Sequence, residues 1–285
     1  MESEQLQREH INLESFCSPW KDVEEVKLKA DEDFDKVLLG ISIGAIPYIG
    51  SELIEADGQW RRMVAKVTTA RTQAFQAWLK PTAYELGWTM MGRPILTAYD
   101  VTPLDTWADM SHLVEREDWP NQAYPLNIAY FCGPMKDDPP PADGALPCPR
   151  PEEYDPLAKA EAIKFFESGA AHLWPRAVLP GSKKFIWETL VDDRPGRHHG
   201  VERFDSQYWR ANVDPSERYV LSVAGSIEHR LKQGESGFQN LVIAGDWTNN
   251  GLNVGCVEAT VMSGMLASNA ICGYPKLEDI TGLNF

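Results

Sequence analysis

The chain has far fewer basic than acidic residues, and this imbalance limits its partners. Its 285 residues include 27 Lys and Arg against 42 Asp and Glu, a formal net charge of -15 at pH 7. A surplus of negative charge disfavours nucleic acid and anionic membrane surfaces as partners. No apolar run approaches the ~18 residues of a membrane-spanning helix, and the charged start MESEQLQREH does not resemble a signal peptide. The expected location is the cytoplasm.

Cysteine pairs at metal-binding or redox spacing are also absent. The cysteines form no Cys-x-x-Cys pair, and the histidines form no cluster at metal-ligand spacing. The five cysteines are Cys17, Cys132, Cys148, Cys256 and Cys272. Their odd number and wide scatter favour a reduced, metal-free intracellular protein. The adjacent His198 and His199 favour a solvated loop over a metal or proton-transfer site, because neighbouring side chains in an extended segment point in different directions.

The glycine motif of dinucleotide-binding domains is missing from the 285 residues. There is no Gly-x-Gly-x-x-Gly turn, which holds the pyrophosphate in dinucleotide-binding domains. Ser222 and Ser226 lie near glycines but not within a Gly-x-Ser-x-Gly elbow, which carries the nucleophile of α/β-hydrolases. The sequence therefore argues against a complete dinucleotide-binding domain of that type and against a serine hydrolase built on Ser222 or Ser226.

The chain does have enough apolar residues for a large core. With 43% hydrophobic residues and a mass of 32.0 kDa, it fits two ordinary domains or one large domain. The segment VEEVKLKADEDFDKVLLGISIGAIP predicts a hairpin. Its first strand alternates through Val23, Val26 and Leu28, and its second, from Phe34 to Ile46, is expected to be buried on both faces.

Four later segments also carry structural signals. Residues 58 to 87 predict either one helix interrupted at Pro81 or a helix that passes into a strand around residues 68 to 78. YPLNIAYFCGPM predicts a strand, and the proline-rich tract MKDDPPPADGALPCPRPEEYDP predicts an exposed loop. A helix is expected from Pro156 to about Ala171. The tryptophans of the middle section are expected mostly in the core, with a cavity for an apolar substrate as the alternative.

The most informative stretch is NLVIAGDWTNNGLNVGCVEATVMSG, residues 240 to 264. An apolar strand, Leu241 to Ala244, ends at Gly245 and is followed at once by Asp246. A helix is predicted to begin near residues 255 to 257. Its first N–H groups and the positive end of its dipole can hold a phosphate or an electron-rich carbonyl oxygen. The alternative is that the glycines shape a tight connection and Asp246 caps a turn, with no ligand.

This stretch resembles the C-terminal FAD-binding segment of the flavin amine oxidase and carotenoid (phytoene) desaturase-like superfamily. In that superfamily a strand ends in Ala-Gly-Asp or Ala-Gly-Glu, and a Gly-x-Val-Glu-Gly-Ala-like helix with Ser-Gly one turn further on follows. Ala259 and Thr260 stand where the family commonly has Gly and Ala. Weaker similarity extends upstream to FDKVLLGISIGAIP and RYVLSVAGSIEHRL.

The resemblance implies roles in FAD binding. Asp246 would accept a hydrogen bond from the ribityl chain or lie by the pyrophosphate, and the N–H groups of Cys256 and Val257 would face the flavin pyrimidine edge. Glu258 matches the family glutamate, with a purely structural role in the first helical turn as the alternative. Lys66 and Lys80 match the family's active-site lysine only by position, so no catalytic residue is assigned. The residues implied to bind cofactor are Gly245, Asp246, Trp247, Thr248, Asn253, Gly255, Cys256, Val257 and Glu258.

The fold class expected is α/β (α+β). The resemblance implies a partial FAD-binding domain of the Rossmann-like, glutathione-reductase type at 1–46 and 239–285. Residues 47–238 would form a substrate domain with a mixed or antiparallel sheet and helices. The implied protein is the C-terminal portion, or a subunit, of an FAD-dependent oxidoreductase acting on a small apolar or amine substrate. A partner chain with the Gly-x-Gly-x-x-Gly half would complete the site, giving a split enzyme as a hetero-oligomer or dimer. The alternative is a non-catalytic interaction or regulatory subunit without flavin.

Overall fold

The chain forms two compact units. The computed structural model describes residues 2–9, 11–13, 15–93, 95–97, 102–120, 123–139, 141–142 and 144–283. The first unit combines Met1–Ala70, Asp137–Arg150 and Val213–Phe285, and the second combines Arg71–Lys136 and Pro151–Asn212. These bounds differ from the division expected at 1–46, 239–285 and 47–238, since residues 47–70, 137–150 and 213–238 belong to the first unit. The roles assigned to the two expected domains stay predictions.

Helices and short strands alternate along the chain. The strands are β1 Val37–Leu39, β2 Thr69–Leu79, β3 Ile95–Thr97, β4 Thr106–Asp109, β5 Asn127–Met135, β6 Tyr208–Asn212, β7 Tyr219–Val220 and β8 Leu241–Ile243. The α-helices are α1 Glu2–Glu9, α2 Ile46–Ile49, α3 Ser51–Ala56, α4 Gly58–Lys66, α5 Ala83–Leu86, α6 Pro151–Lys164, α7 Ala170–Leu173 and α8 Val257–Cys272. A π-helical turn, Phe165–Gly169, joins α6 to α7. The 3-10 helices are Ile43–Ala45, Ser111–Arg116, Trp187–Thr189, Gly200–Ser206, Pro215–Glu217, Ile227–His229 and Leu277–Asp279.

A parallel strand pair and helix α4 organise the first unit. Strand β1 pairs in parallel with β8, with Val37 opposite Leu241 and Leu39 opposite Ile243. The Asp57 side chain accepts the N–H of Gln59 and so caps the start of α4. Trp60 on this helix is fully buried, and its indole Nε1 donates to the carbonyl of Ser236 at 2.8 Å. Buried Leu241 and Ile243 share this core, which therefore fixes where β8 ends.

An antiparallel sheet with one apolar face forms the second unit. Its strand order is β3-β4-β5-β2-β6. Alternate residues of β2, namely Phe75, Ala77 and Leu79, are fully buried on one face, as expected for a strand with a period of two. The Phe75 and Phe131 rings stack there with centroids 4.6 Å apart. The sheet thus has one core face, and its other face carries the alternate side chains.

These elements confirm the α/β (α+β) class and several local predictions. Parallel and antiparallel strands both occur with helices. Helix α4 followed by β2 confirms a helix that passes into a strand, and β5 and β8 lie where strands were expected. Within the described residues, no helix is long and apolar enough to cross a membrane.

Three expectations were wrong. The hairpin at 23–46 does not form: Val23 is 95% exposed, and only Val37–Leu39 is a strand, followed by short helices. Helix α6 begins at Pro151 rather than at Pro156, which lies inside it. The cysteines are not all reduced, because Cys17 and Cys148 form a disulfide with Cα atoms 5.7 Å apart. The apolar alternation at residues 23–28 does not produce a strand, because those side chains have no apolar surface to pack on.

Candidate functional site

The site begins where the parallel strand pair ends. The Ala244 N–H donates to the carbonyl of Leu39 at 3.0 Å, so the sheet pairing continues to the residue before Gly245. Gly245 has φ 142°, and a Cβ placed there would lie 2.4 Å from Trp247 Nε1. Only glycine fits this position. The chain therefore turns sharply at the carboxyl end of β8, the edge at which open parallel sheets bind ligands.

A buried hydrogen-bond network holds this turn against helix α8. Ser263 Oγ accepts the Gly245 N–H at 2.9 Å and lies 2.8 Å from Thr248 Oγ1. Gln233 Nε2 donates to Thr248 Oγ1 at 2.7 Å and to Ser263 Oγ at 3.2 Å. Thr248 and Ser263 are fully buried. Because each buried polar group here is paired, the network fixes the orientation of the turn relative to the helix.

Two asparagines shape the loop between the turn and the helix. The fully buried Asn250 accepts the N–H groups of Leu252 and Asn253 through Oδ1, at 3.1 and 2.8 Å. Asn253 returns the contact by accepting the Asn250 N–H at 3.2 Å. Asn253 has φ 55°, a left-handed conformation that asparagine tolerates better than most residues. This loop returns the chain to the start of α8.

Helix α8 begins at the residue expected from the sequence. Cys256 is its N-cap, and its Sγ accepts the Ala259 N–H at 3.4 Å. The first intrahelical bond runs from the Thr260 N–H to the Cys256 carbonyl. A Cβ on Gly255 would lie 2.6 Å from the Tyr219 ring, whose hydroxyl donates to the Gly255 carbonyl. The absence of a Cβ thus lets Tyr219 close over the helix start.

A pocket opens at this helix N-terminus. It has a volume of about 320 Å³, and the residues that line it are Tyr219, Asp246, Gly255, Cys256, Val257, Thr260 and Val261. Val257 is 76% exposed and Val261 is 51% exposed, so the rim is apolar and open. The first N–H groups of a helix lack intrahelical partners, and the pocket lies against those of α8. It can therefore receive an electron-rich group.

Asp246 lies in the pocket wall, and Arg230, of opposite charge, is its neighbour. Burial raises the pKa of the Asp246 carboxyl, and the positive charge of Arg230 and nearby backbone N–H groups oppose this rise. Arg230 is only 4% exposed; its Nη1 donates to the Asp246 carbonyl at 2.5 Å and its Nη2 to Ser222 Oγ at 3.1 Å. Burial lowers the pKa of Arg230. The guanidinium thus fixes the backbone of Asp246 while balancing its charge.

The structure brings together four of the nine predicted cofactor residues. Asp246, Gly255, Cys256 and Val257 line the pocket. Of the other five, Gly245, Trp247, Thr248 and Asn253 form the turn and loop behind it, and Glu258 is exposed in the first turn of α8. These arrangements leave the predicted FAD contacts untested.

Sequence reasoning missed Thr260 and Val261, in the first turns of α8, and two residues upstream of the motif. Tyr219 and Arg230 lie 21 and 10 residues upstream of the first residue of the motif, Asn240, and nothing in their spacing points to the pocket. A buried arginine beside the final strand could have been suspected only from the match of RYVLSVAGSIEHRL to the family. Their role depends on packing between distant segments.

Other suggested residues lie elsewhere. His198 Nδ1 is 3.0 Å from Asp192 Oδ2, and Arg194 also binds that carboxylate, so His198 has a fixed partner while His199 is exposed. Lys80, in the second unit, donates to the Glu188 carbonyl at 3.0 Å, and burial lowers its pKa. Lys66 ends α4. In the part of the chain that the structure describes, no cluster of three or more His, Cys, Asp or Glu residues suits a metal ion.

Comparisons with known proteins add a distant structural match. No protein family model matches the chain. No curated protein matches it either. Among solved structures, it is similar to an oxidoreductase from Methanosarcina mazei, with 14% sequence identity and a TM-score of 0.46. The match covers 82% of this chain and 42% of that one, so the chain spans less than half of that protein's length.

Proposed function

We propose that the chain supplies the flavin-ring half of an FAD site in an oxidoreductase. One observation carries this proposal: the carboxyl end of a parallel strand, a half-buried carboxylate and the N-terminus of a 16-residue helix converge on one pocket. Pockets at the carboxyl ends of parallel strands are the usual place for dinucleotides. The family resemblance of residues 240 to 273 supports FAD as this dinucleotide.

The pocket suits one end of FAD rather than the whole molecule. Its volume of about 320 Å³ lies at the lower end of the range for small-molecule sites. The N–H groups at the start of α8 would hold the electron-rich edge of the ring, and Asp246 would accept a hydrogen bond from a ribityl hydroxyl. The 285 residues contain no Gly-x-Gly-x-x-Gly turn for the pyrophosphate. The adenine end would therefore be held by residues outside this sequence.

The reaction proposed is removal of hydride from a C–N or C–C bond of a small apolar or amine substrate. Bound FAD would supply the hydride acceptor. The N–H groups and the helix dipole at α8 would favour a ring that gains negative charge, because the positive end of the dipole faces the pocket. Tyr219, Val257 and Val261 would exclude water from one side of the ring. No residue of this chain is assigned the role of base.

Completion of the site by another polypeptide is part of the proposal. Val37 and Leu38 on β1 are 41% and 55% exposed, and Val257, Val261 and Met265 form an exposed apolar stripe on α8. Short parallel sheets with open apolar edges associate readily. We expect a dimer, or a hetero-oligomer with a chain bearing the missing turn. A strictly monomeric mass by light scattering at micromolar concentration, alone and with such a chain, would contradict this expectation.

The flavin proposal is tested by comparing ligands that share only the ring end. The isolated chain is titrated with riboflavin and with FAD, and quenching of flavin fluorescence is measured. We expect weak binding of both, with affinities within about fivefold, because an unpaired adenine end adds few contacts. Purification with stoichiometric FAD would contradict a half-site. If neither ligand binds even when a chain that bears the missing turn is added, the flavin assignment is contradicted and the non-catalytic role remains.

A proline variant tests whether an N–H group at the start of α8 contacts the flavin. Val257 is the first residue of α8, and its predecessor Cys256 has extended backbone angles that suit a following proline. Val257→Pro would delete one N–H while keeping the helix, and Val257→Ala would remove the same side chain while keeping the N–H. We expect riboflavin affinity to fall about tenfold in Val257→Pro relative to Val257→Ala. Equal affinities would show that this N–H does not contact the flavin.

A further inference from the structure

Two tryptophans in the second unit share one carboxylate. Trp78, on β2, and Trp119, in the loop after the 3-10 helix Ser111–Arg116, each donate their indole N–H to Glu117 Oε2 at 2.7 Å. The two ring systems have centroids 5.5 Å apart and planes inclined at 58°. All three residues are partly exposed, so solvent reaches them. We call Trp78, Glu117 and Trp119 the indole–carboxylate cluster.

The cluster is held in place before any ligand arrives. The backbone N–H of Trp78 donates to Gln207 Oε1 at 2.8 Å, which fixes the Trp78 backbone in the strand. The Glu117 N–H donates to the carbonyl of Val114 at 3.2 Å, so Glu117 closes the 3-10 helix. At the other end of that helix, buried Asn127 donates to Ser111 Oγ at 2.8 Å. A binding site whose groups are already ordered loses less entropy on binding.

Indole N–H groups in this protein do not always have an acceptor, so a requirement for one does not explain why two of them share Glu117. The indole N–H groups of Trp88, Trp107, Trp174 and Trp247 are buried without a hydrogen-bond partner among the described residues. This chain therefore leaves indole N–H groups unpaired at several positions. At Glu117, by contrast, two of them converge on one oxygen atom, which places two aromatic rings beside a negative charge.

The cluster lacks a cation of its own. Among the described residues, no Lys, Arg or His nitrogen lies within 4.0 Å of the Glu117 carboxylate. No Lys or Arg of the described chain stacks on either ring, whereas Lys159 lies 4.7 Å from the Trp209 ring centroid. Glu115 and Asp118 are exposed on either side of Glu117, and Arg116 is the neighbouring basic residue. The local field therefore attracts positive charge.

We propose that the indole–carboxylate cluster binds an organic ammonium group. Aromatic faces attract ammonium ions through the ring quadrupole, and tryptophan does so best. Glu117 Oε2 is occupied by the two indoles, which leaves Oε1 to face the cation. A weakly hydrated alkylammonium ion suits this surface better than a metal ion, because two aromatic rings lie beside the carboxylate. The proposal is independent of flavin binding, since all three residues belong to the second unit.

The test compares a cation with its neutral isostere on the whole chain. Choline and 3,3-dimethyl-1-butanol have nearly the same shape, but only choline carries a charge. Indole N–H signals of the ¹⁵N-labelled protein are followed during each titration, with the signals of Trp78 and Trp119 identified in Trp78→Phe and Trp119→Phe. We expect these two signals to shift saturably with choline, at a Kd on the order of millimolar. The neutral compound should bind at least about fivefold more weakly.

Charge variants separate the cluster from its acidic surroundings. Glu117→Gln keeps an oxygen acceptor for the indoles and removes the charge, so choline affinity should fall about tenfold. Glu115→Gln removes a neighbouring exposed charge and should change affinity less than about twofold. Equal binding of the neutral isostere, equal losses in the two variants, or no saturable shift with choline would each overturn the proposal. The ligand comparison uses the unaltered protein, so it decides the matter even if Glu117→Gln unfolds.

Discussion

Two glycines of the C-terminal motif differ in how much space a side chain would have. A Cβ on Gly255 would lie 2.6 Å from the Tyr219 ring, whereas a Cβ on Gly264, inside α8, would meet no atom within 4 Å. We expect Gly255→Ala to lower the free energy of unfolding by roughly 1–3 kcal/mol through overpacking. Gly264→Ala should raise it by about 0.5–1 kcal/mol because alanine favours helix. Urea unfolding of both variants checks this; a Gly255→Ala protein as stable as the parent would show that Tyr219 is free to move.

Asp246 gives the first unit a specific pH dependence. Burial raises its pKa above the ordinary value of 3.8, against the opposing charge of Arg230. The native state therefore binds a proton more tightly than the unfolded state, and stability falls as pH rises from about 3.8 towards the native pKa. Asp246→Asn does not lose stability in this way, because asparagine does not titrate. We expect the stability of Asp246→Asn relative to the parent to increase across that interval and then level off, as measured by urea unfolding in a pH series.

The pKa of Asp192, in the second unit, is shifted in the opposite direction. Hydrogen bonds from Arg194 lower the pKa of Asp192 to about 2. Its stabilising contribution is thus present above pH 3.8 and disappears as pH falls towards 2. Asp192→Asn should be less stable than the parent at neutral pH, with a difference that shrinks in acid. A pH-independent difference for either aspartate would contradict the environment described for it.

At the scale of elements, a single serine couples helix α8 to the turn after β8. Ser263 Oγ accepts the buried Gly245 N–H at 2.9 Å. Ser263→Ala would leave that N–H without a partner, which costs about 1–3 kcal/mol of stability. Thr260→Ala, on the exposed side of the same helix, should change stability by less than about 0.5 kcal/mol. Thermal unfolding checks both, and equal effects would mean that the network does not hold the helix.

The same element shows what the sequence could predict. The β8–turn–α8 unit is local in sequence: its apolar strand, its glycines and the small residues of α8 were enough to place it within a residue or two. The hairpin at residues 23–46 failed because alternating Val23, Val26 and Leu28 specify a face but supply no partner for it, and all three are exposed. Arg230 and Tyr219 could not be placed in the site, because their positions depend on contacts between distant segments.

At the scale of the whole molecule, the units divide the chain in a way that composition did not indicate. The first unit takes three separate segments, and strand β2 begins in it and continues into the second. Residues 137–150 belong to the first unit, although in the sequence they stand between β5 and α6, which belong to the second. Such interleaving requires long-range contacts, which a single sequence read along its length does not reveal.

A disulfide ties two of those three segments together. Cys17 and Cys148 are 131 residues apart in sequence, and their Cα atoms are 5.7 Å apart. Other contacts hold the same segments in place: Phe16 packs edge-on to Tyr48 at 4.9 Å, and the Tyr48 hydroxyl donates to the Pro147 carbonyl at 2.5 Å. Tyr48 thus contacts the residues next to both cysteines, Phe16 beside Cys17 and Pro147 beside Cys148.

Joining them should stabilise the first unit, because closing so long a loop restricts the unfolded chain. We expect protein prepared under oxidising conditions to give a Cys17–Cys148 cross-linked peptide and to lose roughly 2–5 kcal/mol of stability in a double serine variant. Cys272→Ser, at an exposed free cysteine, is the control and should change stability by less than about 0.5 kcal/mol. A reductant should destabilise the parent and leave the double variant unchanged. Five free thiols under oxidising conditions would contradict the disulfide; a stable cross-link would instead count against the expected cytoplasmic location, because disulfides persist mainly in oxidising compartments.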